Sequence, residues 1–238
     1  MKKALITLLI GLIFAISAAA ASATDYTGQP ELIAAHADLW KQNVDYGQWG
    51  YAVTDLDQNG QLEILAASLQ GTGFYTYLNI YEVSEDSSGL TEVRQDRSEY
   101  ESTADIMTET AAGFYDKEKG VYFYIFPDFV RNGYAENCLF KRSVCLENGV
   151  WKEQTLAQKA AVCSDPENCT FSFQDDSGQA ISEEQFESIE NTLFSELEEG
   201  MLRLHWNMTD NEAFSRISAD ELCESLKNIA VYEATEHR

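Results

Sequence analysis

The stretch "YAVTDLDQNGQLEILAASL", residues 51–69, places an acidic loop between two segments with strand character. Residues 49–53 alternate with the period of a β-strand, and an extended, mostly apolar run resumes at residue 62. Asn59-Gly60, between them, suits a turn, but a turn alone does not need the acidic side chains around it. The stretch therefore predicts a β-hairpin, and the segments around it extend the same pattern.

The first two thirds of the chain predict one helix followed by further hairpins. Gln29-Pro30 opens a helix that should end near Tyr46-Gly47, because proline suits a first helical turn. Residues 74–83, "FYTYLNIYEV", are apolar or aromatic on both faces, as in a central strand. Further strands are predicted at residues 90–93, 113–115, 121–126, 139–146 and 150–154, with Asn148-Gly149 as a two-residue hairpin turn between the last two. Residues 94–109 are predicted to form a loop with one helical turn. Successive hairpins favour an antiparallel meander.

The last third of the chain predicts helices. Three capping boxes mark their starts: Ser182 with Gln185, Thr209 with Glu212, and Ser218 with Glu221. The first helix should run to Gly200, and its apolar stripe is Phe186, Ile189, Leu193 and Leu197. The apolar stripe of the last helix is Leu222, Leu226 and Ile229. The sequence thus predicts a single α+β domain over residues 24–238: an N-terminal helix, an antiparallel β-meander in a sheet-rich part (48–175), and C-terminal helices (182–232) packed on the sheet.

The N-terminus and the charge indicate where the protein acts. Lys2 and Lys3 precede an apolar run, residues 4–16, and Ala21-Ser22-Ala23 fits a signal-peptidase site. We therefore expect residues 1–23 to be a signal peptide and the mature chain to be secreted or extracytoplasmic, with no membrane contact after cleavage; an uncleaved anchor is the alternative. The net charge of -24 argues against nucleic-acid partners, which need cationic surfaces.

Five cysteines and an exported location allow disulfides. Cys163 and Cys169 enclose a turn-rich loop, so they are the predicted pair. Cys223 lies on the apolar face of the last predicted helix and is expected to be a buried free thiol.

The acidic loop has the composition of a calcium site. Calcium takes six to eight oxygen ligands on a flexible loop, and Gly60 at the sixth position permits a sharp bend. The predicted ligands, at alternate positions from the first to the ninth, are Asp55, Asp57, Asn59, Gln61 through its backbone carbonyl, and Glu63. The twelfth position is Ala66 instead of the glutamate of an EF-hand, and the flanks are strands, which excludes that motif. The alternative is an ordinary hairpin turn with solvated acids.

This D-x-D-x-N-G-x-x-E pattern between strands resembles the calcium loops of FG-GAP and integrin-type repeats. It also resembles a group of exported Firmicutes-type proteins with a "Y-A-x-x-D-x-D-x-D/N-G-x-x-E-L/I" hairpin after an N-terminal helix. The likeness covers residues 30–83, with an echo at residues 176–186. It implies a calcium ion and an exported location but no reaction, and the single copy does not imply a propeller.

These features predict a secreted, calcium-binding, non-enzymatic protein. The first alternative is a module that recognises glycan or protein through sheet aromatics, which cross-strand packing explains equally well: Phe74, Tyr75, Tyr77, Tyr81, Tyr115, Tyr122, Tyr124 and Phe126. The second is a small hydrolase without a recognisable signature, for which His205 is the candidate base. Around it, "LHWNM" at residues 204–208 is expected to be a linker whose Trp206 packs on the core.

Overall fold

A computed structural model describes residues 24–42, 44, 47–70, 75–96, 103–132, 135–165, 168–229 and 231–234. The predicted signal peptide, residues 1–23, lies outside the described residues, as do Tyr46 and Phe74. Among the described residues, no helix combines the length and the hydrophobicity that a bilayer crossing requires.

Two antiparallel sheets form the framework. The first has the strand order β12-β1-β2-β3-β4, and the second has the order β10-β9-β8-β7-β6-β11-β13, with β5 pairing in parallel with β9. The strands are β1 Gln48–Thr54, β2 Glu63–Gln70, β3 Tyr75–Val83, β4 Leu90–Glu92, β5 Arg94–Asp96, β6 Thr110–Asp116, β7 Val121–Asn132, β8 Glu136–Glu147, β9 Val150–Asp165, β10 Asn168–Asp175, β11 Glu198–Arg203, β12 Asn207–Asp210 and β13 Val231–Ala234. The helices are α1 Gln29–Ala35, α2 Ala37–Trp40, α3 Glu183–Glu187, α4 Ile189–Leu193, α5 Asn211–Phe214 and α6 Ala219–Leu226.

The first sheet is the middle layer, because its two faces contribute to two different cores. Leu65 and Ile80 lie in a cluster with Tyr124 and Trp151 of the second sheet. The opposite face belongs to a second cluster, which joins strand residues to α1, α2, α5 and α6: Trp49, Tyr51, Val53, Ile64 and Ala66 with Ile33, Trp40, Phe214, Leu222 and Leu226. Strand β1 is therefore buried along almost its whole length.

The broad α+β class, dominated by antiparallel strands, is confirmed, and so is the disulfide between Cys163 and Cys169. The N-terminal helix is shorter than predicted: it is two short helices that meet at His36 and end at Trp40. Residues 94–96 form a strand where a loop was predicted. Cys223 is partly exposed, so the prediction of a buried thiol is wrong.

The prediction that the C-terminal third is helical is wrong in part. The capping boxes at Ser182 and Ser218 are confirmed, but Asp210, not Thr209, caps α5. The helix predicted to reach Gly200 breaks at Ser188 and gives way to β11, where Gly200 lies inside the strand. A Cβ on Gly200 would lie 2.3 Å from the ring of Tyr232 on β13, so the glycine makes room for a cross-strand aromatic instead of ending a helix.

Candidate metal site

The loop between β1 and β2 gathers three of the predicted ligands. Asp55, Asp57 and Glu63 each place one carboxylate oxygen within 4.8 Å of the other two. The hairpin register sets this geometry, since Thr54 pairs with Glu63 and leaves the intervening residues to fold back as a loop. A loop that returns on itself in this way brings the carboxylates at its ends close to those in its middle.

Two of these carboxylates are buried with unused acceptors. Glu63 is completely buried, and its Oε2 accepts a hydrogen bond of 2.7 Å from the Leu56 amide. Asp55 is 8% exposed, and its Oδ2 accepts from the Tyr26 hydroxyl at 2.8 Å and from the Gly60 amide at 3.0 Å. Glu63 Oε1 and Asp55 Oδ1 have no hydrogen-bond partner among the described residues. A buried acceptor left unsatisfied costs about 1–3 kcal/mol, and more when it is charged.

The remaining predicted ligands lie beside the cluster in a different role. Asn59 donates from its backbone amide and its Nδ2 to Asp57, at 3.3 and 3.2 Å, and its Oδ1 accepts from the Gln61 amide at 2.7 Å. Gln61 was predicted to contribute its backbone carbonyl. In the structure its side-chain Oε1 is a third buried oxygen without a partner among the described residues.

Electrostatics at the loop are unfavourable to three ionised carboxylates. Burial raises the pKa of Asp57 to about 6, with a contribution from the nearby charge of Glu82. Burial also raises the pKa of Asp55, and it raises that of Glu63 well above the ordinary range. No salt bridge in the described part of the chain involves any of these four acids. No cationic side chain of the described residues therefore balances the negative charge of these acids. A site of this kind favours a bound cation.

The loop is fixed from two sides. On one side Gln29, at the start of α1, donates from Nε2 to the Gly60 carbonyl at 2.9 Å and accepts from the Leu62 amide at 2.7 Å. On the other side the hydroxyl of Tyr124 in β7 donates to the Leu56 carbonyl at 2.8 Å. These contacts fix the backbone of the loop that carries the carboxylates.

Three residues outside the predicted ligand set also contact the loop or its acids: Tyr26, Gln29 and Glu82. Glu82 had a readable signal, because it is the one charged residue in the otherwise apolar, aromatic or neutral stretch at 74–83. In the structure, the antiparallel register of β2 and β3 places Glu82 opposite Glu63.

Those of the other candidate residues that the structure describes do not assemble a comparable site. His205 is exposed and lines an open depression of about 590 Å³ beside Trp206, which packs on the core as predicted. The prediction of a linker over residues 204–208 is wrong at its end, because Asn207 and Met208 belong to β12, which pairs with β1. Of the predicted sheet aromatics, Tyr115 and Tyr122 stack on each other with ring centroids 4.3 Å apart, and Tyr124 is buried. Tyr77 is exposed. Tyr115, Tyr122 and Tyr124 therefore take part in packing within the sheet, whereas Tyr77 is open to solvent.

No family model, no curated protein and no solved structure matches the chain. The likeness of the loop to FG-GAP and Firmicutes-type calcium loops therefore stays a prediction from its motif.

Proposed function

We propose that the protein is an extracytoplasmic calcium-binding protein in which one ion, held by the β1–β2 loop, stabilises the fold. The observation that carries the proposal is a pair of buried oxygens, Glu63 Oε1 and Asp55 Oδ1, in a cluster of three carboxylates. Within the part of the chain that the structure describes, neither oxygen has a hydrogen-bond partner and none of the three carboxylates has a cationic partner. A cation between them would satisfy both oxygens and neutralise the repulsion.

Calcium is the metal that this donor set fits best. The clustered groups are all carboxylates, with amide oxygens of Asn59 and Gln61 beside them. Hard oxygen donors without histidine or cysteine suit calcium, magnesium or manganese better than zinc or copper. A loop of mixed acidic and amide oxygens can supply the six to eight ligands that calcium takes, whereas magnesium keeps several waters. An exported location, which rests on the predicted signal peptide, would expose the site to extracellular calcium.

The test is calcium-dependent stability. The chain purified without residues 1–23 is stripped with EDTA, and its thermal unfolding is followed by circular dichroism with and without calcium, alongside isothermal titration calorimetry. We expect calcium to raise the melting temperature, by an amount equivalent to about 2.7 kcal/mol at 100 times the dissociation constant.

Two variants with the same charge change make the test specific. Asp57→Ala removes a clustered carboxylate, whereas Asp176→Ala removes an exposed one outside the loop. Asp57→Ala should abolish the calcium response and Asp176→Ala should retain it. An unchanged melting temperature for the wild-type protein in calcium and in EDTA would refute the proposal.

A further inference from the structure

A fourth acidic side chain faces the loop from the neighbouring strand. Glu82 on β3 is the direct cross-strand partner of Glu63 on β2. Directly opposed residues of an antiparallel pair point to the same face, with Cβ atoms about 5 Å apart, and like charges in that arrangement are destabilising. No salt bridge of the described residues relieves the repulsion between these two glutamates.

The Asn59 amide connects Glu82 to the three-carboxylate cluster. Its Nδ2 donates to Glu82 Oε1 at 2.7 Å and to Asp57 Oδ2 at 3.2 Å. Two carboxylates from different segments thus converge on one partially positive group. A cation at this position would attract both carboxylates.

The loop itself lacks the ligand that closes a helix-loop-helix calcium site. That site takes a bidentate glutamate from its twelfth position, which here is Ala66, a completely buried residue of β2. Ala66 lies three residues beyond Glu63 along β2, so each further residue of this strand is more distant from the loop. The next strand returns antiparallel and brings Glu82 back to the level of Glu63.

We infer that Glu82 is a fourth carboxylate ligand of this site and takes the role of the missing twelfth-position glutamate. The inference rests on the proposed calcium site and extends it from one loop to two neighbouring strands. The site then joins β2 to β3 as well as closing the β1–β2 hairpin.

Affinities for calcium and for magnesium test the inference, measured by calorimetry on the wild-type protein, Glu82→Gln, Glu82→Asp and Glu85→Gln. Glu85 is an exposed residue just beyond β3, so Glu85→Gln makes the same charge change away from the loop. We expect Glu82→Gln to weaken calcium binding about tenfold or more and magnesium binding much less, because magnesium retains its waters. Glu82→Asp should also weaken calcium binding, since the shorter side chain withdraws the carboxylate.

Three results would overturn the inference, and they are distinguishable. If Glu82→Gln binds calcium within about twofold of Glu85→Gln, Glu82 is not a ligand although the calcium site stands. If Glu82→Asp retains wild-type affinity while Glu82→Gln loses it, Glu82 acts through its charge and not as a ligand. If the wild-type protein binds no calcium, the proposed function fails and the inference fails with it. Circular dichroism spectra in EDTA establish that each variant is folded.

Discussion

Replacement of Glu63 by glutamine should change the free energy of unfolding in opposite directions with and without calcium. Glutamine has almost the same shape, and its carbonyl can still accept the hydrogen bond from the Leu56 amide. The substitution removes the negative charge of a completely buried side chain. In EDTA the variant should therefore be more stable than the wild-type protein.

The geometry sets the size of the effect. Two unit charges at the largest separation within the cluster, 4.8 Å, repel by about 3.5 kcal/mol at an effective dielectric constant of about 20. Burial raises the pKa of Glu63 well above the ordinary range and that of Asp57 to about 6, so protonation already relieves part of this repulsion at pH 7. We therefore expect a gain of about 1–2 kcal/mol in EDTA. At a calcium concentration 100 times the wild-type dissociation constant, bound calcium adds about 2.7 kcal/mol to the free energy of unfolding of the wild-type protein. A variant that binds no calcium lacks this contribution.

Urea unfolding of both proteins, in EDTA and in calcium, measures all four free energies. The expected order is variant above wild type in EDTA and wild type above variant in calcium. A variant that is less stable than the wild type in EDTA and still gains stability from calcium would refute the reasoning, because Glu63 would then be a structural acceptor and not a metal ligand.

Three further predictions concern the supports of the site and the rest of the fold. Gln29→Ala removes both hydrogen bonds between α1 and the loop backbone and should cost about 2–4 kcal/mol in urea unfolding, whereas the exposed Gln42→Ala should change stability by less than about 0.5 kcal/mol. Gly200→Ala forces a Cβ against the Tyr232 ring and should cost about 1–3 kcal/mol in thermal unfolding; equal stability would show that β13 shifts freely. Burial raises the pKa of Cys145 to about 11, so iodoacetamide at pH 8 should label its peptide, detected by mass spectrometry, only after unfolding; rapid labelling of the folded protein would contradict this.

The hairpins were predictable because their signals are local. Alternation and an Asn-Gly turn lie within a few residues of each other, and the strands flanking the acidic loop form where the pattern places them. Asn148-Gly149 likewise connects β8 to β9, and both residues have the positive φ that such a turn requires.

The C-terminal strands were not predictable in this way, because the contacts that decide them are distant in sequence. Residues 198–203 form a strand by pairing with β6, residues 110–115, and with β13. The apolar spacing at Leu193 and Leu197 suits a helix as well as a loop that leads into that strand. Only the partner strands settle which conformation is adopted.

The same division between local and distant signals holds for the candidate site. Asp55, Asp57 and Glu63 belong to one motif, so their spacing revealed them. Gln29 and Glu82 reach the loop only because α1 and β3 fold against it. Their contribution could not be read from the loop motif itself.

The apolar residues of the loop explain why its carboxylates remain together. Leu56, next to Asp55, lies in the core between the two sheets, and Leu62, next to Glu63, lies in the core beneath the helices. Pulling either carboxylate toward solvent would withdraw a neighbouring leucine from its core, at about 1.5–3 kcal/mol for a fully exposed side chain. The hydrophobic effect therefore holds the acids close to each other even though they repel. A cation that binds there meets ligands already in position, and most of its binding free energy can add to the stability of the fold.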